Sequence, residues 1–422
     1  MSADTTIADF PAAPVKSHAA QMHSQTRIRD PRLDFFRGIA MFIILFAHIP
    51  GNWWTLWIPA RFGWSDATEI FVFCSGMASA IAFGGAFARK GWWLGTARVA
   101  FRIWQVYWAH IGLFIVVAAS LAYLDSTGLW ERAFLARLNL LPFFDDNTRA
   151  QLIGLMTLSY VPNFFDVLPM YMVILALMPA MMAMARISPW AVAATVAAIW
   201  LLAQADILAL PAEPWSDREW FFNPFGWQLI FFTGFALMIG WLPAPPVDRR
   251  LIWLAIAIVL VSAVLSFNWW RTFPHPDHNE LSGFQERLYN LHLATYYFRQ
   301  DISLLRAKTD FGIFRYVHFL ALAYLAWILV GPKGERLTEF TEGKLGQVWQ
   351  MVLAVILKVG QQSLAVFVFS MAIAWPLGGI FEFTGKSGAT MLLVNGLGMM
   401  LIILCAYIAG WFKRHPWRDR TR

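Results

Sequence analysis

Charge and cysteine are both scarce in this sequence. Only 14% of its 422 residues are Asp, Glu, Lys or Arg, whereas soluble domains contain about 25%. The two cysteines, Cys74 and Cys405, both fall inside apolar runs, so neither a disulfide framework nor a zinc-ligand spacing is available. Residues 1–32 lack the apolar core of about 7–15 residues that a cleavable signal peptide needs. These absences argue against an ordinary soluble enzyme and a disulfide-stapled fold, and we expect no metal site.

Long apolar runs, in contrast, are abundant. Hydrophobic residues make up 59% of the chain, and its mean hydropathy is +0.53. A helix that crosses a bilayer needs about 20 mostly apolar residues. We therefore predict an all-α polytopic membrane protein with about ten transmembrane helices in one bundle. The ten stretches lie near 33–50, 67–88, 99–123, 164–184, 190–210, 225–242, 251–267, 316–331, 361–381 and 390–412. The amphipathic stretch 345–359 could extend the ninth of them or lie on the membrane surface.

The basic residues predict how the bundle is oriented. With ten spans, the basic clusters between the spans all fall on the same side as the basic N-terminal segment. Basic loops favour the cytoplasm, so both ends of the chain are predicted to be cytoplasmic. We expect a disordered cytoplasmic tail at 1–30, a transmembrane domain at 31–412 and a basic cytoplasmic tail at 413–422. The net charge of +7 then reflects membrane topology, and we expect no nucleic-acid partner.

The first predicted span carries three ionisable residues. Arg37 and His48 are eleven positions apart, which places them within roughly 20° of each other on a helix and ~16 Å apart along its axis. Asp34 lies within about 60° of the same stripe. Charged groups at membrane depth cost several kcal/mol unless they face a polar interior, which favours an active site on this flank. The alternative is that Asp34 and Arg37 are interfacial anchors and His48 is an interfacial histidine with satisfied hydrogen bonds.

The third predicted span adds a pair of arginines. Arg98 and Arg102 are i,i+4 neighbours on one face, and two like charges there favour an anion between them. The guanidinium fork suits phosphate, so a phosphorylated cytosolic donor could bind there. The alternative is that both arginines anchor the helix at the membrane surface. Tyr107 and His110 follow on the same span, and His110 could equally be a buried structural histidine.

The second predicted span begins with two acidic residues. Asp66 and Glu69 are i,i+3 neighbours, so both side chains can point into one cavity. They could orient His48, bind acceptor hydroxyls, or cap the N-terminus of the helix.

Several segments together resemble a known family. Arg32-Leu33-Asp34-Phe35-Phe36-Arg37-Gly38, with His48 eleven residues beyond Arg37, is similar to the first-helix signature of the transmembrane acyltransferase superfamily. The segments 48–52 and 66–76 resemble the OpgC branch more closely. So do Leu168-Pro169-Met170-Tyr171, Asn223-Pro224-Phe225-Gly226-Trp227-Gln228-Leu229 and Gln362-Ser363-Leu364-Ala365-Val366-Phe367.

The resemblance implies a function. OpgC proteins are associated with succinylation of osmoregulated periplasmic glucans, so the chain would transfer an acyl group from cytosolic acyl-CoA to a glycan. It would lie in the bacterial inner membrane, with succinyl-CoA as co-substrate and no bound cofactor. His48 would be the catalytic histidine, paired with Arg37, and Arg98 and Arg102 would bind the donor. Residues that would bind the acceptor or support the site are Asp34, Asn52, Asp66, Glu69, Tyr107 and His110.

The chemistry is compatible with these residues, but other functions stay open. An imidazole with an ordinary pKa near 6.5 can accept the proton of a sugar hydroxyl at neutral pH, and a covalent acyl-histidine is an alternative route. A transporter or flippase for a glycan or organic anion would also use intramembrane Arg and His. We find no internal repeat of the kind that many transporters show. A polytopic glycosyltransferase and a membrane protein that uses no donor are further alternatives.

Overall fold

The computed structural model describes residues 30–128, 133–145, 148–267 and 283–417, and this part of the chain is built from α-helices without any β-strand. The all-α prediction is confirmed. The helices are α1 Pro31–His48, α2 Ala67–Ser79, α3 Gly85–Ser126, α4 Ala133–Arg137, α5 Leu141–Asp145, α6 Thr148–Thr157, α7 Val167–Met184, α8 Pro189–Gln204, α9 Pro224–Ile239, α10 Arg249–Ser266, α11 Phe284–Asp301, α12 Ile313–Val330, α13 Glu335–Thr338, α14 Gly343–Gln361, α15 Ser363–Thr384 and α16 Gly388–Phe412. Residues 1–29 of the predicted N-terminal tail 1–30 lie outside this range.

Six helical segments in the described part are long and apolar enough to cross a membrane. One of them, Ala67–Ser126, contains 60 residues and would be ~90 Å long as a straight helix, about three times the apolar thickness of a bilayer. It passes through a π-helical turn at Ala80–Gly84 and breaks at Gly91, whose φ of 80° is not helical. The chain is a multi-pass membrane protein, while the number of ten spans stays a prediction.

Helix α1 has both parallel and antiparallel helices as neighbours. α15 runs parallel to it, because Ser363 contacts Arg37 and Gly378 packs on Pro50. α12 runs the opposite way, since it begins beside Glu69 and ends where Arg32 donates to the Gly331 carbonyl at 3.2 Å. We call the end of the bundle where α1 begins the Arg37 end, and the opposite end the His48 end.

The amphipathic stretch 345–359 forms a separate helix. α14 ends at Gln361, and Gln362 (φ −108°, ψ 25°) breaks it from α15. Its first half is exposed, but its C-terminal turns pack on α1. A Cβ on Gly360 would lie 1.8 Å from the Asp34 carbonyl oxygen, and one on Gly38 would lie 2.2 Å from that of Ile356. Glycines allow this close approach, which fixes α14 against the part of α1 that carries Arg37.

Candidate active site

His48 is the last residue of α1, and its ring has a defined tautomer. Nδ1 lies 2.7 Å from the carbonyl oxygen of Ile44, one turn earlier. A carbonyl oxygen can only accept a hydrogen bond, so in the neutral ring Nδ1 carries the proton and donates it. Nε2 is then the basic nitrogen. The half-buried ring therefore presents a proton acceptor on the side away from its own helix.

Phe164 forms an aromatic wall beside His48. The two rings meet edge to face with centroids 5.5 Å apart, and Phe164 also meets Trp375 at 6.1 Å. The backbone of Phe164 has φ 86°, a conformation that is unfavourable for a bulky side chain and costs about 1–3 kcal/mol. The surrounding packing holds the ring there. Nothing in the local sequence indicated this contact.

Four charged residues form a cluster at the His48 end, which we call the ion quartet: Asp66, Glu69, Lys308 and Arg315. Lys308 Nζ donates to Asp66 Oδ2 at 2.6 Å. Arg315 Nε donates to Glu69 Oε1 at 2.8 Å, and a second guanidinium nitrogen binds the same oxygen. Its Nη2 also lies 3.7 Å from Asp66 Oδ2. Because the Glu69 side chain has no exposed surface, its charge depends on Arg315.

The ion quartet also reaches His48. Lys308 and Asp66 both lie within the range of direct electrostatic interaction with its ring. Burial alone would raise the pKa of Asp66, but the charges of Lys308 and Arg315 hold it well below its ordinary value. Asp66 is therefore an anion. Lys308 acts on the ring more strongly than Asp66 does, and their opposite charges partly cancel there.

The predicted helix cap is present as well. Asp66 Oδ1 accepts from the Thr68 amide at 2.7 Å, and Glu69 Oε2 accepts from the Asp66 amide at 2.8 Å. Asp66 and Glu69 thus form a capping box and bind cations at the same time. Lys308 and Arg315 are not among the site residues predicted from the sequence. An arginine at the start of an apolar span was the only signal available for the latter.

Arg37 is the centre of a second polar cluster at the Arg37 end. One of its guanidinium nitrogens donates to the Ser363 hydroxyl, while its buried Nε has no hydrogen-bond partner within the described part of the chain. Asp34, Tyr171 and Arg102 lie within electrostatic range of it. Two guanidinium groups within electrostatic range of each other repel unless an anion lies between them. This geometry suits an anionic group of a substrate.

The two predicted donor-binding arginines have different environments. Arg102 is half-buried, lies within electrostatic range of Arg37 and donates to Gln105 at 3.1 Å, whereas the side chain of Arg98 is exposed. Further along α3, the Tyr107 hydroxyl donates to the Met156 carbonyl at 2.8 Å. His110 is fully buried, and within the described residues neither of its ring nitrogens has a hydrogen-bond partner.

Asn52 connects the segment after His48 to α16. Its Nδ2 donates to Asn395 Oδ1 at 2.8 Å, and Asn395 Nδ2 donates back to Asn52 Oδ1 at 3.1 Å. Both side chains are buried, so two amide groups satisfy each other. The structure thus gives Asn52 a positioning role close to His48. Across the described ranges, no group of three or more His, Cys, Asp or Glu residues is arranged to hold a metal ion.

Comparison with known protein families gives one match. The model of the family described as "OpgC protein" matches residues 29–414, which is nearly the whole chain. Comparison with curated proteins and with solved structures gives no match. Because the family model covers far more than half of the chain, the chain belongs to the OpgC family.

Proposed function

We propose that this member of the OpgC family is a membrane acyltransferase that moves an acyl group from cytosolic acyl-CoA to hydroxyl groups of a glycan. In this proposal the Arg37 end faces the cytoplasm of a bacterium, the His48 end faces the periplasm, and both chain termini are cytoplasmic. The acyl group is succinyl and the acceptor is a periplasmic glucan. The observation that supports it best is the 2.7 Å contact of His48 Nδ1 with the Ile44 carbonyl oxygen, which leaves Nε2 as a base on the helix that carries Arg37.

The reaction needs one proton acceptor and no external redox partner. Nε2 of His48 takes the proton of a glycan hydroxyl while the hydroxyl oxygen attacks the thioester carbonyl carbon. The tetrahedral intermediate collapses, the carbon–sulfur bond breaks, and the imidazolium returns the proton to the departing thiolate. An ester and free CoA thiol result. The anionic Asp66 offsets part of the positive charge of Lys308, which by itself would oppose formation of the imidazolium.

The positions of Arg37 and His48 match the shape of an acyl-CoA donor. His48 is the last residue of α1 and Arg37 lies eleven residues before it, ~16 Å away along the helix axis. In acyl-CoA, an extended pantetheine arm separates the phosphates from the thioester. Arg37 and Arg102 would bind an anionic part of the donor, and the arm would carry the thioester towards His48. This arrangement lets a donor from one side meet an acceptor from the other side.

The proposal is tested with purified protein in nanodiscs, succinyl-CoA and a β-glucan oligosaccharide. We measure free thiol and the mass of the acylated sugar. His48→Ala should lower transfer by at least about 100-fold, because it removes the base. His292→Ala is the matched control, since His292 is also half-buried but lies on α11, and it should keep wild-type transfer.

Two results would overturn the proposal. Wild-type turnover by His48→Ala would remove His48 from the mechanism. Absence of acyl transfer by the wild type, together with movement of the oligosaccharide across proteoliposomes without any donor, would establish the transporter alternative. A covalent adduct on His48 in a donor-only reaction would instead retain the function and replace the direct transfer step by an acyl-histidine route.

A further inference from the structure

Trp375, on α15 at the His48 end, has a buried hydrogen-bond donor without a partner. The residue is 8% exposed, and its indole Nε1 meets no acceptor within the described part of the chain. An indole N–H can donate a hydrogen bond but cannot accept one. The large majority of buried polar side-chain atoms have a partner, so each exception calls for a structural or functional reason.

Trp375 lies at nearly the same height in the bundle as His48. α15 runs parallel to α1, and an added Cβ on Gly378 would lie 2.5 Å from Pro50 Cδ. Trp375 is three residues before Gly378. His48 is two residues before Pro50, so the two backbones differ in height by roughly 1.5 Å, the rise of one helical residue. On the helix, Trp375 is within about 60° of Gly378, which places it on the side of α15 that packs on α1.

Phe164 connects the two rings. It meets His48 edge to face with centroids 5.5 Å apart, and it meets Trp375 in the same way at 6.1 Å. The indole also meets Phe134 edge to face at 5.2 Å. The proposed base and the unpaired N–H thus share an aromatic wall. Hydrogen bonds are electrostatically stronger in apolar surroundings than in water.

The proposed reaction produces an acceptor that matches this donor. When the glycan hydroxyl oxygen bonds to the thioester carbonyl carbon, one electron pair of the C=O bond moves to the carbonyl oxygen. That oxygen becomes an anion, which accepts hydrogen bonds and has no proton to donate. A sugar ring matches the aromatic wall less well, because it bears several hydroxyl groups that would lose their hydration there.

We propose that Trp375 is a catalytic residue whose Nε1–H donates to the thioester carbonyl oxygen and stabilises the oxyanion of the tetrahedral intermediate. His48 Nε2 takes the hydroxyl proton in the same step. When the carbon–sulfur bond breaks, the oxyanion forms the carbonyl of the ester again and the thiolate takes that proton. A donor that is already in position needs no reorganisation during the reaction. The inference rests on the proposed acyl transfer and adds the group that stabilises its intermediate.

Trp375→Phe tests this role, because it removes the N–H and keeps an aromatic ring. In the nanodisc assay, kcat should fall by about 100-fold, as expected for the loss of one oxyanion donor. The KM values for acyl-CoA and for the oligosaccharide should stay within about threefold of wild type, because the contact strengthens only in the transition state. Trp220→Phe is the matched control and should keep the wild-type kcat. Trp220 is also buried with an unpaired Nε1 among the described residues, but it packs in a separate cluster with Val161 and Ala212.

A substrate with an altered carbonyl separates direct contact from a structural role. In an acyl-CoA dithioester, sulfur replaces the carbonyl oxygen, and sulfur is a weak hydrogen-bond acceptor. The wild type should transfer the acyl group from the thioester faster than from the dithioester. The ratio of the two rates should fall by at least about tenfold in Trp375→Phe and should be unchanged in Trp220→Phe. A variant that only disturbs packing would slow both substrates equally.

The results distinguish failure of this inference from failure of the proposed function. Wild-type kcat in Trp375→Phe would overturn the inference and would show that a water molecule suffices as partner of the N–H. An equal ratio of thioester to dithioester rates in the wild type and in Trp375→Phe would overturn it as well. In both cases acyl transfer itself stands. Absence of transfer by the wild type would instead refute the acyltransferase, and the oxyanion role with it.

Discussion

Glu69 on α2 and Arg315 on α12 form an ion pair inside the bundle, although 246 positions separate them in the chain. The Glu69 side chain has no exposed surface, and the side chain of Arg315 is only 10% exposed. Two nitrogens of one guanidinium donate to the same carboxylate oxygen. The pair fixes the start of α12 against the start of α2, and so places Lys308 and Asp66 within reach of His48.

Removal of Glu69 should destabilise the protein strongly. Glu69→Ala removes the closest partner of the buried Arg315 guanidinium and leaves it only the longer contact with Asp66 at 3.7 Å. Loss of one partner of a buried ion pair costs up to about 3–5 kcal/mol. We expect a clear fall of the unfolding temperature in detergent. Glu382→Ala, which removes an exposed carboxylate from α15, should leave that temperature unchanged.

The double replacement Glu69→Leu, Arg315→Met separates charge burial from packing. Apolar residues of similar volume often match or exceed the stability of a buried ion pair, so the double variant should unfold at a higher temperature than Glu69→Ala. The pair would not have the structural role assigned to it if Glu69→Ala unfolded at the same temperature as the wild type. The same conclusion would follow if the double variant unfolded at the same temperature as Glu69→Ala.

The features that depend on neighbours in sequence could be predicted. The spacing of Arg37 and His48 follows from helix geometry, and Asp66 and Glu69 at i,i+3 form the capping box that such a pair favours. The apolar runs predicted an all-helical membrane bundle. The segments that resemble OpgC proteins predicted the family, and the family match confirms it.

The features that depend on distant contacts could not be predicted. Lys308 meets Asp66 across 242 positions, and no periodicity in one sequence relates two helices so far apart. The position of Phe164 over His48 depends on a left-handed backbone that tertiary packing imposes. Arg98 and Arg102 share one face by spacing alone, and only the packing of α3 distinguishes the exposed Arg98 from the half-buried Arg102, which lies within electrostatic range of Arg37.

The two arginines of α3 should differ in their effect on the donor. Arg102→Gln should raise the KM for acyl-CoA by about tenfold, because it removes one of the two cations that would bind an anionic group of the donor. Arg98→Gln is the matched control from the same helix, and its KM should stay within about twofold to threefold of wild type. Initial rates of thiol release at varied acyl-CoA concentration provide both constants. If both variants changed the KM for acyl-CoA equally, the half-buried position of Arg102 would give it no special part in donor binding.

The close contact of α14 with α1 should be sensitive to one methyl group. Gly360→Ala places a Cβ 1.8 Å from the Asp34 carbonyl oxygen, so the helices must separate, at a cost of about 1–3 kcal/mol. Gly396→Ala on α16 is the matched control, because a Cβ there meets nothing within 4 Å. Alanine also favours a helix over glycine by up to about 1 kcal/mol. Thermal unfolding should therefore show a lower midpoint for Gly360→Ala and an unchanged or higher midpoint for Gly396→Ala; a wild-type midpoint for Gly360→Ala would contradict the contact.

Asp166 should make stability depend on pH, because burial raises the pKa of its carboxyl to about 6. Only 3% of the residue is exposed, and its Oδ1 accepts from the Phe221 amide at 3.1 Å. The folded-state pKa lies above the value of about 3.9 expected in the unfolded chain, so the stabilising contribution is complete below about pH 4 and is lost as the pH rises through about 6. At pH 8 the ionised carboxylate should cost about 3 kcal/mol relative to the protonated group.

Asp166→Asn tests this cost, because asparagine keeps an acceptor for the Phe221 amide and has no charge to bury. The variant should unfold at a higher temperature than the wild type at pH 8, and this advantage should shrink as the pH falls to 5, where the wild-type carboxyl is protonated. Glu382→Gln, at an exposed carboxyl, controls for the general effect of removing one negative charge. An advantage of Asp166→Asn that is the same at pH 5 and pH 8 would show that the ionisation of Asp166 does not limit stability. Phe164, two residues before Asp166, contacts His48. The rate of acyl transfer by the wild type should therefore be measured over the same pH range.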